Sequence, residues 1–257
     1  RGFQLVREAF SVCKSVPKLV RYQRRYRLAS KRISIGAKMK KAIGLGAGGH
    51  AKVVLDILRQ MGGYHIAGLL DADPLLKGKK ILGVPVLGPD SEIAGLRKSG
   101  VRYAFVGAGA GGRPGDIAAR KKLFELIHRS GLKPLSAVHP SAVIALSVRM
   151  GLGVTVMAGA IINPEARIGD NVIINTGAVV EHDCLVENHG HIATGAHLAG
   201  SVKILEGAHI GIGATVRQGV EIGKGAVVGA GSVVIRDVES GDVVVGVPAA
   251  SLKMKPV

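Results

Sequence analysis

Beginning at Val138, every sixth residue is aliphatic for seventeen consecutive positions, through Ile144, Met150 and Val156 to Val228 and Val234. Four residues after each comes a small or slim side chain, as at Ala142, Val148, Ala160, Cys184, Ala196 and Val238. A helix repeats its buried face about every 3.6 residues and a half-buried strand every two, so neither sustains a strict period of six. A triangular coil does, because each six residues make one short flat strand and one corner. Residue i then fills the core, i+4 must be slim enough to fit beside it, and the other side chains point outward. The period predicts a parallel β-helix over residues 138–238 with a C-terminal tail at 239–257.

Composition agrees with that core. Hydrophobic residues make up 47% of the chain but aromatics only 3%, so the interior must be stacked from Val, Ile and Ala. The 38 glycines follow no collagen-like period and fit a chain with many tight turns. Two cysteines, Cys13 and Cys184, point to a reducing compartment without a disulfide framework. Cys184 falls on a slim inward position and reads as a packed core thiol.

The formal charge of +17 invites a nucleic-acid reading, but about +10 of it lies in residues 1–38, where eleven Lys and Arg face only Glu8. The rest mixes acids with bases and has no basic stripe interleaved with aromatics, which argues against a nucleic-acid partner. Residues 1–38 contain no apolar stretch of membrane-spanning length and no signal-peptide core. They read as a basic, poorly ordered extension. A remnant of a preceding domain and a membrane-surface helix are the alternatives. Phe3, Leu5, Val6 and Phe10 permit an amphipathic face, and RYQRRYR suits anionic lipid. The expected location is cytoplasmic, with weak contact at the inner membrane face through this segment as an option.

Residues 39–137 read as a small Rossmann-like α/β domain. An apolar strand at 41–46 runs into a glycine-rich turn with Gly46, Gly48, Gly49 and His50, then a helix at 51–61. Glycines let the backbone approach a ligand, and a helix start offers free N–H groups to phosphate. A second strand, 66–70, ends at Asp71, 22 residues after Gly49, where such a unit places a carboxylate for ribose hydroxyls. A third strand, 103–106, opens into Gly107 and a second glycine-rich turn, followed by an amphipathic helix at 116–130. The spacing alone is compatible with NAD, with a sugar nucleotide, and with glycines that serve only tight turns. No second domain for hydride transfer follows, which disfavours NAD.

On the coil, outward polar residues cluster between Asn175 and His197. His182 takes an outward position flanked by Glu181 and Asp183, and an imidazole beside a carboxylate is a serviceable general base. Residues eighteen apart stack on adjacent coils, so His191 and His209 form a pair, about 4.8 Å apart along the axis. A zinc site built from His189, His191 and His209 across a trimer interface is a further possibility.

The residues GAGGHAKVV at 46–54, LLDAD at 69–73, HPSAVIA at 139–145, INTGAVVEHDC at 174–184, HIATGAHLAG at 191–200 and VVGVPA at 244–249 carry a resemblance. From Met39 to Val257 the chain resembles bacterial nucleotide-sugar acetyltransferases of the hexapeptide-repeat class. It is similar to the N-acetyltransferases of UDP-linked 4-amino sugars (the bacillosamine group) and to the sialic acid O-acetyltransferase group. The resemblance implies a left-handed β-helix, acetyl-CoA as co-substrate, a homotrimer with sites between subunits, and a role in glycan biosynthesis. It implies His182 as general base, with Asp183 orienting it, and Asn175 in the acceptor pocket. His191 and the backbone at Ile212 and Ala230 correspond to acetyl-CoA contacts. Gly48, Gly49, His50, Asp71 and Gly107 correspond to the sugar-nucleotide pocket. Two departures bear on the acceptor: Ala72 stands in place of a second carboxylate, and the GAGAGGRPGD loop is longer.

The expectation is therefore an acetyl-CoA-dependent acetyltransferase acting on the amino group of a UDP-linked sugar. O-acetylation of a sialic-acid-like sugar, a trimeric zinc carbonic-anhydrase-like enzyme, and a non-catalytic trimeric scaffold are the competing readings.

Overall fold

The computed structural model describes residues 39–111 and 116–252. The expectations for residues 1–38, Cys13 included, lie outside the described residues.

The N-terminal unit is a six-stranded sheet with helices packed on it. Its elements are β1 (Lys40–Leu45), α1 (Gly49–Met61), β2 (Tyr64–Leu70), β3 (Lys80–Ile81), β4 (Val84–Gly88), α2 (Ile93–Lys98), β5 (Tyr103–Val106), α3 (Asp116–Arg129) and β6 (Lys133–Pro134). The order is β3-β4-β2-β1-β5-β6, with every neighbouring pair parallel except the β3–β4 hairpin. Strand β1 is central, and Ala42–Leu45 is an unbroken buried run, as a parallel strand covered on both faces requires. Helix α1 turns Ala51, Val54, Leu55 and Leu58 to the sheet at helical spacing and stops at Gly62, whose N–H returns to the Leu58 carbonyl. Residues 74–99, which the sequence reading leaves unassigned, supply the far edge of the sheet. Strands of two and five residues broken by Pro and Gly are too short to carry a periodic signal.

From Ala137–Val138 to Val233–Val234, seventeen two-residue strands recur every six residues. They stack in parallel into three sheets, the walls of a left-handed β-helix. The first wall carries Ile173–Ile174, His191–Ile192 and His209–Ile210. The second carries Val179–Val180, His197–Leu198 and Thr215–Val216, and the third Arg167–Ile168, Leu185–Val186 and Lys203–Ile204. From Met150 to Val238 every i and i+4 residue is buried, Cys184 among them, as the six-residue period requires. The Cys184 thiol donates to the Ala199 carbonyl at 3.2 Å, and burial pushes its pKa up to about 11.

The coil runs beyond residue 238. Val243–Gly246 pairs with Val227–Val228 as another rung of the first wall, and Ala249–Ser251 folds back on it antiparallel. The six-residue period lapses after Val238, and Val227 pairs with Val243 sixteen residues on, instead of the eighteen that separate His209 from Val227. A rung shortened by two residues falls out of phase, which hides it from a period-six reading.

At fourteen successive corners, Gly153 to Gly231, the position after the apex has φ between 55° and 73°. Nine of these positions are glycine, which adopts that region without a Cβ clash. The others are Glu165, Asn171, Asp183, His189 and Ser201. A side chain there costs about 1–2 kcal/mol, least for Asn, Asp and His.

Helix α3 docks the N-terminal unit on the coil. Arg120, Phe124 and Ile127 form its buried stripe. The Arg120 guanidinium is 1% exposed and donates to the Ala108 carbonyl at 2.7 Å, and to the carbonyl and Oδ1 of Asn171 at 2.8 and 2.6 Å. Burial holds its pKa down at about 9. At the rim Glu206 bridges Lys121 of α3 at 2.7 Å and Lys224 of the coil at 2.8 Å, and those two contacts pull its carboxyl down to about 2.

Candidate functional site

His182 and Asp183 occupy a corner between the second and third walls. The His182 Nδ1 lies 2.8 Å from Asp183 Oδ2, and both side chains are more than half exposed. An ionised carboxylate only accepts, so Nδ1 carries the proton and Nε2 presents a lone pair. The left-handed backbone at Asp183, φ 60°, turns its carboxylate back toward the preceding ring.

Asn175, Ile212 and Ala230 lie along a different edge, the corners between the first and second walls. The Thr176 N–H donates to Asn175 Oδ1 at 2.7 Å, which makes the amide nitrogen the donor to His191 Nε2 at 3.2 Å. His191 Nδ1 is therefore the protonated nitrogen. Ile212 is 61% exposed and Ala230 is also exposed, so their backbones border an open edge.

His191 points outward from the coil, yet it is only 6% exposed because the N-terminal unit covers this wall. Its ring meets that of His209 edge-on, with centroids 4.9 Å apart, as the eighteen-residue stacking predicts. Burial, then the neighbouring His209 and Arg120, holds His191 at about 3, against a weak upward pull from the Ala110 backbone. His50 is held at about 3 by burial and then Arg120, and burial also lowers His209. Among the described residues His50 Nε2 and His209 Nδ1 are buried without hydrogen-bond partners, and His191 Nδ1 faces the Ala110 backbone without a well-formed bond. His189 stands apart: its Nδ1 accepts from the Asn171 amide at 2.9 Å and its ring packs edge-on against Phe124. Among the described residues no three His, Cys, Asp or Glu side chains converge as metal ligands.

In the N-terminal unit Gly48 and Gly49 open α1 with clear space around them. Gly107 is buried where the two glycine loops cross; a Cβ there would lie 2.3 Å from the Gly46 carbonyl oxygen, so packing alone requires that glycine. Asp71, assigned to ribose hydroxyls by its spacing, accepts from the Ala47 N–H at 2.8 Å and the Asp73 N–H at 3.0 Å. It clasps the first glycine loop to the end of β2. Asp90 stands near it, its carboxyl raised by burial and then by Asp71.

The chain thus brings His50 and His191 together beside the second glycine loop, with Asn175 bonded to His191, but sets His182 and Asp183 across the second wall from Asn175, Ile212 and Ala230. The sequence reading missed the Arg120–Asn171–His189 linkage between the two units. Its one signal was a cation at the first position of the Arg120, Phe124, Ile127 stripe, where a core residue belongs.

The buried histidines should make the fold acid-labile. His50 and His191 stay neutral in the fold until about pH 3, whereas their ordinary value is 6.5. Below 6.5 the unfolded chain binds protons that the fold refuses, so the stability present above that value is lost as pH falls toward 3. At pH 5.5 each costs about 1.4 kcal/mol, one pKa unit's worth. Calorimetry should show Tm falling from pH 7 to pH 5, with a shallower fall in His191→Asn; equal slopes would contradict the assignment.

An α/β unit docked on a left-handed hexapeptide coil, with an exposed His–Asp pair on one corner, defines the hexapeptide-repeat acyltransferase class. Residues 41–127 match the PglD N-terminal domain family, and residues 201–236 match the bacterial transferase hexapeptide family (six repeats). No curated protein matches the chain significantly. A histidine-to-alanine variant of GDP-perosamine N-acetyl transferase from Caulobacter crescentus, solved with CoA and GDP-perosamine, is 42% identical, covering 83% of this chain and 97% of that one, with a TM-score of 0.77. The acetyltransferase domain of PglB from Neisseria gonorrhoeae, in complex with acetyl coenzyme A, is 34% identical over 84% of this chain and all of that one, with a TM-score of 0.75. WeeI from Acinetobacter baumannii is 28% identical over 84% of this chain and 100% of that one, at 0.72. The chain belongs to the nucleotide-sugar N-acetyltransferase family.

Proposed function

We propose that this protein transfers the acetyl group of acetyl-CoA to the amino group of a nucleotide-linked sugar, with His182 as general base. The observation that carries the reading is the half-exposed His182–Asp183 pair, in which the carboxylate engages Nδ1 and leaves the lone pair on Nε2. The neutral amine attacks the thioester carbonyl, and a C–N bond forms as Nε2 takes the amine proton. Asp183 stabilises the resulting imidazolium. The C–S bond then breaks, and the imidazolium returns its proton to the departing thiolate. Gly48, Gly49, His50 and Asp71 border the space assigned to the sugar nucleotide, and the α1 N-terminus offers N–H groups to its diphosphate. Asn175, His191, Ile212 and Ala230 are assigned to the acyl donor and the reacting amine.

A homotrimer reconciles the separated residues. The second wall is apolar over three successive rungs, Val143, Ile161 and Val179, with Val143 62% exposed. Three copies with this wall turned to a common axis would bring the His182 corner of one against the Asn175, Ile212 and Ala230 edge of the next. Light scattering should return the mass of three chains; a monomer with full activity would reject the shared site.

The acceptor is tested by thiol release from acetyl-CoA against UDP- and GDP-linked amino sugars. A UDP-linked sugar is the expectation from sequence, whereas the 42% identical relative was solved with GDP-perosamine. Turnover with amino sugars and none with their hydroxyl counterparts supports N-acetylation. The reverse preference would favour the O-acetyltransferase reading.

A further inference from the structure

The corner adjoining His182 breaks the pattern of the coil by one residue. Across the fourteen left-handed corners, the residue preceding the left-handed position is glycine only once, at Gly200. Gly200 does not have positive φ, whereas Ser201 takes φ 59° in the place glycine usually fills. Backbone conformation therefore gives no reason for a glycine at 200, and the serine that follows carries strain a glycine would relieve.

The reason lies one coil away. Gly200 stands eighteen residues after His182, and a Cβ built on it would be 2.7 Å from both Cε1 and Nε2 of the His182 ring. Carbon atoms in contact normally sit about 3.5–4.0 Å apart. The backbone cannot relieve the clash, because the Ser201 N–H donates to the His182 carbonyl at 2.9 Å and locks the two corners together. Only the half-exposed ring can move, and moving it strains the 2.8 Å bond to Asp183.

We propose that Gly200 is a positioning residue for His182. The missing side chain leaves the space in which the imidazole seats, so that Nδ1 stays on Asp183 and Nε2 keeps its aim. The role in turnover rests on His182 being the general base; the seating of the ring does not.

Gly200→Ala tests it in the full-length protein. The variant should fold with an unchanged Tm, since the displaced ring swings toward solvent. In the thiol-release assay kcat should fall about 10²-fold, the scale of a 1 Å misplacement, with KM for acetyl-CoA within about twofold. The imidazole nitrogen resonances of His182, assigned by their loss in His182→Ala, should shift. In the His182→Ala background the Gly200→Ala change should have no further effect. Unshifted resonances would overturn the proposal, as would a rate loss that persists undiminished without His182. If His182→Ala itself retained full activity, the base assignment would fall, and the resonances would still decide whether Gly200 seats the ring.

Discussion

His182→Ala is expected to lower kcat by about 10³-fold, within the range for loss of a positioned general base, while Tm stays within a degree or so of the parent. Stability is spared because the side chain is 55% exposed and, among the described residues, bonds only to Asp183, itself 57% exposed. Asp183→Asn is expected to cost nearly as much, although it is almost isosteric. A carboxylate can only accept, which places the imidazole proton on Nδ1, whereas an amide can donate to Nδ1 and move the proton to Nε2. An Nε2–H cannot take the amine proton, so the ring would be in place and in the wrong tautomer. Steady-state kinetics on both variants, with calorimetry as a folding control, checks the pair. Full activity in either would remove the acid–base role from this corner.

Arg120→Met is expected to destabilise the protein by roughly 3–5 kcal/mol, because two buried acceptors on Asn171 and a half-buried one on Ala108 lose their donor, at about 1–3 kcal/mol for each buried one. Two effects compete here, since replacing a buried charge by an apolar isostere is often neutral once desolvation is removed. Loss wins at this site because the acceptors stay behind. The Asn171 carbonyl and Oδ1 are buried at a left-handed corner and cannot turn to water, while the Ala108 carbonyl is half-buried on the second glycine loop. Asn171 Oδ1 also loses the bond that orients its amide toward His189. The apparent Tm should fall on the order of 10 °C, the conversion for a chain of this size. The acceptor's kcat/KM should fall with it, since the glycine loop is held to the coil through this guanidinium. A variant as stable as the parent would show that desolvation outweighs the three bonds.

The coil was legible because its constraint is local and repeated. Each rung needs one aliphatic and one slim residue at fixed spacing, and the chain satisfies that at every step to Val238. The sheet order of the N-terminal unit was not legible, since β3 and β4 carry too few residues for a period. The last rung, Val243–Gly246, escaped for the opposite reason: it keeps the strand but drops two residues of the repeat. His182 could be placed outward from its position in the hexad alone. His191 could also be placed outward, but not as buried, because what covers it comes from the loop beyond Gly107.

By itself, then, the sequence determined the β-helix, the inward Cys184, the outward His182 and the glycine-rich α/β unit before them, because each follows from spacing along the chain. Only the tertiary structure decided that Arg120 is the buried tie between the two units, that Asp71 clasps the first glycine loop, and that the His182 ring seats over Gly200. Those contacts join residues 51, 24 and 18 positions apart. No local rule links the first two pairs. The last lies in register on adjacent coils, but its meaning depends on atoms that meet only once the coil has closed.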